Sequence, residues 1–128
     1  MKRLLLVCSM FTLTLTVAST QKADAQTIVT AASFNAEINL LNSQIGSGDT
    51  VSAKATFATM NTDMITVLGV TKASIRDAGN DSTKNYYINY LSTQQVPLYR
   101  NIWQLKSDMV TNRSTLIAKL NAFSALIY

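Results

Sequence analysis

The chain has no histidine, and its one cysteine, Cys8, lies within the first ten residues. Histidine titrates near neutral pH, and with cysteine it supplies most catalytic bases, activated nucleophiles and soft-metal ligands. Glu-x-x-His di-iron bundles and histidine-ligated haem bundles are therefore excluded on composition. No serine sits in a nucleophile elbow, and no glycine-rich loop is built to cradle phosphate. Proline occurs once, at Pro97, and glycine is confined to Gly46, Gly48, Gly69 and Gly79. Such sparse punctuation suits a few long helices better than many strands and turns.

The first 25 residues carry an export pattern. Lys2 and Arg3 form a positive start, Leu4 to Ala18 an apolar run, and Ala23-Asp24-Ala25 a small-x-small cleavage site ahead of Gln26. The apolar run is 15 residues and includes Ser9, Thr12, Thr14 and Thr16. A spanning helix needs about 20 apolar residues, so cleavage is expected rather than anchoring. Cys8 follows Val7 near the start of this run, the wrong place for a lipid-accepting cysteine. Residues 1–25 are read as a cleavable signal peptide and residues 26–128 as one domain, periplasmic or secreted, with no stable membrane insertion.

Cleavage changes the charge balance. Residues 26–128 keep eight basic and six acidic side chains, a net charge of +2 rather than +4. The eight bases are dispersed, and a nucleic-acid binder needs a clustered basic stripe, so no nucleic acid is expected as partner. The 103 residues that remain contain no cysteine, so no disulfide staples the domain. Its stability must come from packed apolar area or from a partner that supplies more of it.

Apolar spacing predicts the elements. Ala31, Phe34, Ile38, Leu41 and Ile45 are spaced 3, 4, 3, 4, which no strand face can accommodate, and predict a helix over about Thr27 to Ser47. Gly46-Ser47-Gly48 ends it, and Asp49 is placed to cap a second helix over Thr50 to Ala78. Ala53, Phe57, Met60, Met64 and Val67 carry the stripe of that helix, with Gly69 interrupting it and Gly79 as a left-handed stop. Ser82 is the expected cap of a third helix over Thr83 to Asp108. Pro97 must kink or break it, and Ser92 with Gln95 has the spacing of a capping box. A fourth helix runs from Ser114, capped by Asn112 or Ser114 itself, to the end. The expected fold is an all-α, up-down four-helix bundle with a long central hairpin.

Unequal lengths have a geometric consequence. A second helix of about 29 residues is roughly 43 Å long, and a fourth of about 14 residues covers roughly 21 Å. The first and fourth helices lie beside the same half of the hairpin, so the tip from Val67 to Leu91 is left with two helices. Ile75, Tyr86, Tyr87, Tyr90 and Leu91 make this tip apolar and form the candidate interaction surface, for a second copy in a homodimer or for another exported protein. Alternatively, Pro97 folds the third segment back and the tyrosines cover the core.

The remaining motifs have plain readings. Glu37 and Asp63 fall outside the apolar stripes and are expected to face solvent. Asp77, Asn80, Asp81 and Ser82 crowd one turn but lack the order of an EF-hand loop, so they read as capping residues. Trp103 borders the Leu98, Ile102, Leu105 stripe as a core-edge packer, and Met60, Met64 and Met109 fill gaps on the seams. No metal, cofactor or catalytic group is expected.

Leu91-Ser92-Thr93-Gln94-Gln95 resembles the Leu-Thr-x-x-Gln motif of the Spy-like periplasmic chaperones, with Ser in place of Thr and without their second copy of the motif. The resemblance implies an exported all-helical protein that binds unfolded clients on a cradle-shaped dimer. From the residues themselves, the expectation is a non-catalytic structural or protein-interaction module. A small-ligand-sensing bundle is the reading from a different class.

Overall fold

A computed structural model describes residues 28–128. The leader, with its cleavage residues Ala23, Ala25 and Gln26, lies outside the described residues. Among those described, the fold is all-helical. The elements are α1 (Ala31–Gly46), α2 (Thr50–Asp77), α3 (Asp81–Tyr90), a π turn (Leu91–Gln95), α4 (Val96–Leu105), a 3-10 turn (Lys106–Asp108) and α5 (Arg113–Ser124). The backbone stays right-handed helical at Tyr90, Leu91, Gln95 and Val96, so α3, the π turn and α4 are one rod, the third of four helices.

The first three helices start where a side chain satisfies an exposed amide, whereas α5 begins after Asn112 without a side-chain cap, and Ser114, the other expected cap, lies inside it. Thr30 and Ser33 form a reciprocal capping box at α1, with Thr30 Oγ1 accepting from the Ser33 amide at 3.0 Å and Ser33 Oγ accepting from the Thr30 amide at 3.1 Å. Asp49 Oδ1 accepts from the Ser52 amide at 3.1 Å and caps α2 as expected. At α3 the cap is Asn80, whose Oδ1 accepts from the Thr83 amide at 2.8 Å, and the expected cap Ser82 lies inside the helix. The left-handed glycine is Gly48, at φ +80°, between α1 and α2. Gly79 does not serve as the expected left-handed stop: α2 closes on an extended Ala78.

The buried stripes follow the sequence spacing. Phe34, Ile38, Leu41 and Ile45 of α1 meet Ala53, Phe57, Met60, Met64 and Val67 of α2, Ile102 of α4, Met109, and Leu116, Leu120 and Phe123 of α5. Helix α3 contributes no buried residue, so the core occupies only the half of the hairpin that α1 and α5 flank. Polar pairs tie the helices at this end. Thr56 Oγ1 donates to Gln44 Oε1 at 2.7 Å between α2 and α1, and Tyr99 Oη donates to Asn61 Oδ1 at 2.8 Å between α4 and α2. Between α5 and α1, Ser124 Oγ donates to Asn35 Oδ1 at 2.6 Å and Arg113 Nε donates to Asn42 Oδ1 at 2.8 Å.

The third helix neither folds back nor starts afresh near Pro97. Ser92 Oγ donates to the Ile88 carbonyl at 2.8 Å instead of capping a new helix, so the Ser92-Gln95 capping box is not formed. Pro97 has no amide to offer the carbonyl four residues back, and its ring would crowd that carbonyl. A wide turn just before it relaxes both problems: the Val96 amide bonds the Leu91 carbonyl, five residues back.

Candidate functional site

Where the core ends, a groove of about 790 Å³ begins. Its floor is one face of α2, Thr66, Val67, Gly69, Val70, Ala73 and Arg76, and its walls are Ile28 and Val29 before α1 and Ile127 and Tyr128 after α5. The floor spans about three helical turns, roughly 15 Å. Arg76 is its single charged residue, and Asp77 neutralises it through two hydrogen bonds of 2.9 and 3.0 Å. Apolar side chains therefore dominate a surface with little net charge. Ile28 remains 81% exposed and Val70 47% exposed at its edge.

Tyr128 joins this groove to the tyrosines of α3. Its ring stacks on Tyr87 at 5.7 Å between centroids and meets Tyr90 edge-on at 5.9 Å. Tyr86 stacks on Tyr90 at 6.0 Å and meets Tyr87 edge-on at 5.2 Å. These are favourable offset and T-shaped arrangements for ring quadrupoles. The C-terminal residues thus cover part of the two-helix tip. Tyr87, Tyr90, Leu91 and Ile75 are half-buried, whereas Tyr86 is 61% exposed. Burial raises the Tyr90 phenol above its ordinary pKa, and the neighbouring Tyr86 and Tyr128 push it the same way.

A buried polar cluster holds the tail in place. Gln95, from the π turn, is fully buried; its Oε1 accepts from Thr71 Oγ1 at 2.7 Å and its Nε2 donates to the Leu126 carbonyl at 3.2 Å. Tyr90 Oη donates to the same carbonyl at 2.8 Å, and Ser74 Oγ lies 2.9 Å from Tyr128 Oη. One cluster thus links α2, the third helix and the C-terminal segment.

Glu37 and Asp63 depart from the expectation of two solvent-facing charges. Both are half-buried at the α1–α2 seam, and Glu37 Oε1 is buried without a hydrogen-bond partner. Burial first, then the charge of the nearby Asp63, push the Glu37 carboxyl up to about 7. Spacing missed this pair because both residues sit one step outside the apolar stripes; only the pairing register of the two helices brings them together.

The other sequence candidates have structural roles. Asp77 is taken by Arg76 and Asn80 by the α3 amide, so the crowded turn consists of caps and an ion pair. No group of three or more Cys, Asp or Glu side chains gathers among the described residues. Trp103 does not wedge between helices; it is 44% exposed with Lys106 Nζ 4.4 Å from its ring centre. Met60, Met64 and Met109 are core residues.

No protein-family model, curated protein or solved structure matches this chain. The resemblance to the Spy-like motif therefore rests on its five residues, which form the π turn and place Gln95 inward. No helix among the described residues is long and apolar enough to cross a membrane.

Proposed function

We propose that this chain is an exported, non-catalytic interaction module that presents the α2 groove and its tyrosine rim to a second copy of itself. Export rests on the leader pattern, and the antiparallel pairing of the hydrogen-bonded residues supports an up-down bundle. The observation that carries the reading is the continuity of the groove with the tyrosine patch through Tyr128. Ile28, Val70, Tyr86 and Tyr128 are 81, 47, 61 and 57% exposed along this one surface. Symmetric pairing would cover these four side chains and the groove walls on both copies at once. The low charge of the groove favours an apolar occupant of this kind.

Sedimentation velocity across a concentration series tests the proposal. A weak dimer, forming at tens of micromolar or so, is expected. Val70→Asp and Tyr86→Ser, both outside the core, should return it to monomer without lowering its helicity. A monomer at every concentration refutes self-association. Unfolded client protein, the occupant the Spy-like resemblance suggests, is then addressed by suppression of aggregation under the same conditions. The groove volume also falls within the range for small apolar ligands. That second reading predicts a raised thermal midpoint with such a ligand and an unchanged oligomeric state.

A further inference from the structure

Glu37 and Asp63 face each other across two helices whose register is fixed elsewhere. Gln44 of α1 and Thr56 of α2 are hydrogen-bonded at 2.7 Å. Two turns along each helix in opposite directions, seven residues apiece, lead from Gln44 to Glu37 and from Thr56 to Asp63. Among the described residues no positive charge forms an ion pair with Glu37 or Asp63. Asn35 and Asn42, which bond Ser124 and Arg113 of α5, lie on the other side of α1, so neither Arg113 nor Lys119 of α5 faces Glu37. On α2, one turn to either side of Asp63 stand Thr59, Met60, Thr66 and Val67, none of them charged. A buried carboxylate oxygen without a donor, set against a second carboxylate, is costly unless a proton lies between them.

We propose that the Glu37–Asp63 pair is a proton-operated latch between α1 and α2, closed when the two carboxyls share one proton and released when that proton leaves for solvent. In the closed form the Glu37 O–H donates to the Asp63 carboxylate and the seam is joined. Deprotonation breaks that O–H bond, passes the proton to water and leaves two like charges in contact. The strain falls on the N-terminal half of α1, which follows directly from Ile28 and Val29, the groove wall. Against α2, helix α1 is held at its far end by the Gln44–Thr56 bond, while the Asn35–Ser124 and Asn42–Arg113 bonds tie it to α5 on the other side and do not close the α2 seam. Opening therefore starts at the Thr30 end and lowers the protection of the first turns while α5 keeps its own. The latch is independent of what occupies the groove.

Amide hydrogen exchange on the whole chain, read by mass spectrometry and corrected for intrinsic rates, tests the latch at pH 5.5 and pH 8. Protection of α1 up to about Leu41 should fall on the order of tenfold at the higher pH, with little change in α5. Glu37→Gln, which is always neutral and keeps a donor for Asp63, should abolish the difference. Asp63→Asn should also abolish it, because an ionised Glu37 then meets an amide donor; this variant serves as well if the first folds poorly. Equal loss of protection in α1 and α5, or an unchanged pH response in either variant, overturns the proposal. Oligomeric state, measured separately, distinguishes failure of the latch from failure of the dimer.

Discussion

Replacing Gln95 by leucine removes two hydrogen bonds from the buried cluster while nearly preserving side-chain volume. Thr71 Oγ1 loses its 2.7 Å acceptor but keeps a 3.5 Å bond to the Val67 carbonyl, and the Leu126 carbonyl loses one donor but keeps Tyr90. At about 1 kcal/mol for each neutral bond, partly offset by the added apolar burial, Gln95→Leu should cost about 1–2 kcal/mol. Tyr90→Phe should cost about 1 kcal/mol by the same reasoning. The double variant differs in kind, because it leaves the Leu126 carbonyl with neither donor, a further penalty of about 1–2 kcal/mol. Urea denaturation of the four proteins forms a double-mutant cycle, and the expected interaction energy is about 1 kcal/mol beyond the sum. The single leucine variant should melt about 5–10 °C lower. Additivity within about 0.3 kcal/mol would refute the reasoning, since it means that water replaces the lost donors and the shared carbonyl does not couple the π turn to the tail.

The remaining predictions concern charge and backbone. Glu37 has a folded pKa of about 7 against an ordinary value of 4.5, so its stabilising contribution is present below pH 4.5 and is lost as pH rises through 7. Screening on the open side of the seam reduces the linked stability to about 1–2 kcal/mol, so the thermal midpoint should fall by about 5–10 °C from pH 5 to pH 8, and a flat or rising profile contradicts this. Asp49, Asp77 and Asp108 have lowered pKa values, from hydrogen bonds to Ser52, Arg76 and Thr111; their contributions are present above the ordinary carboxylate value and are lost only in more acidic solution, outside that window. Gly69 lies mid-helix with open space where a Cβ would stand, so Gly69→Ala should stabilise by about 0.5–1 kcal/mol in thermal melts. Thr30→Ala breaks the capping box and should cost about 1 kcal/mol, measured by denaturant titration.

Helices α1 and α2 were legible because their buried residues recur every three or four positions, and periodicity reports burial directly. Asp49 was legible as a cap because a glycine turn preceded it. Pro97 signalled trouble in the third helix but not its form. A break and a π turn both relieve proline, and the choice depended on Gln95 finding Thr71 and the tail, contacts remote in sequence. The Thr30–Ser33 box was missed because both hydroxyls sit in a run of small residues with no glycine or proline to mark the boundary. The tyrosines mark a tip, yet their main cover, Tyr128, lies past the end of α5 at Ser124, where the spacing predicts a helix continuing to the end. The Glu37–Asp63 pair needed the α1–α2 register, which no single-helix pattern contains.

The wide turn at Leu91–Gln95 also changes how the third helix tolerates alteration of its length. A regular helix turns about 100° per residue, so deleting one residue elsewhere in the rod would swing the Ile102 face off the core or the Tyr87 face off the tail. The π turn already holds one residue more than an α-helical path requires. Loss of Ser92, Thr93 or Gln94, all exposed, would convert it to ordinary helix and leave both faces pointing as they do. The segment therefore has the geometry of a single-residue insertion accommodated in place: a deletion there keeps both faces in phase but returns Pro97 to a regular helix, at a cost of about 3 kcal/mol.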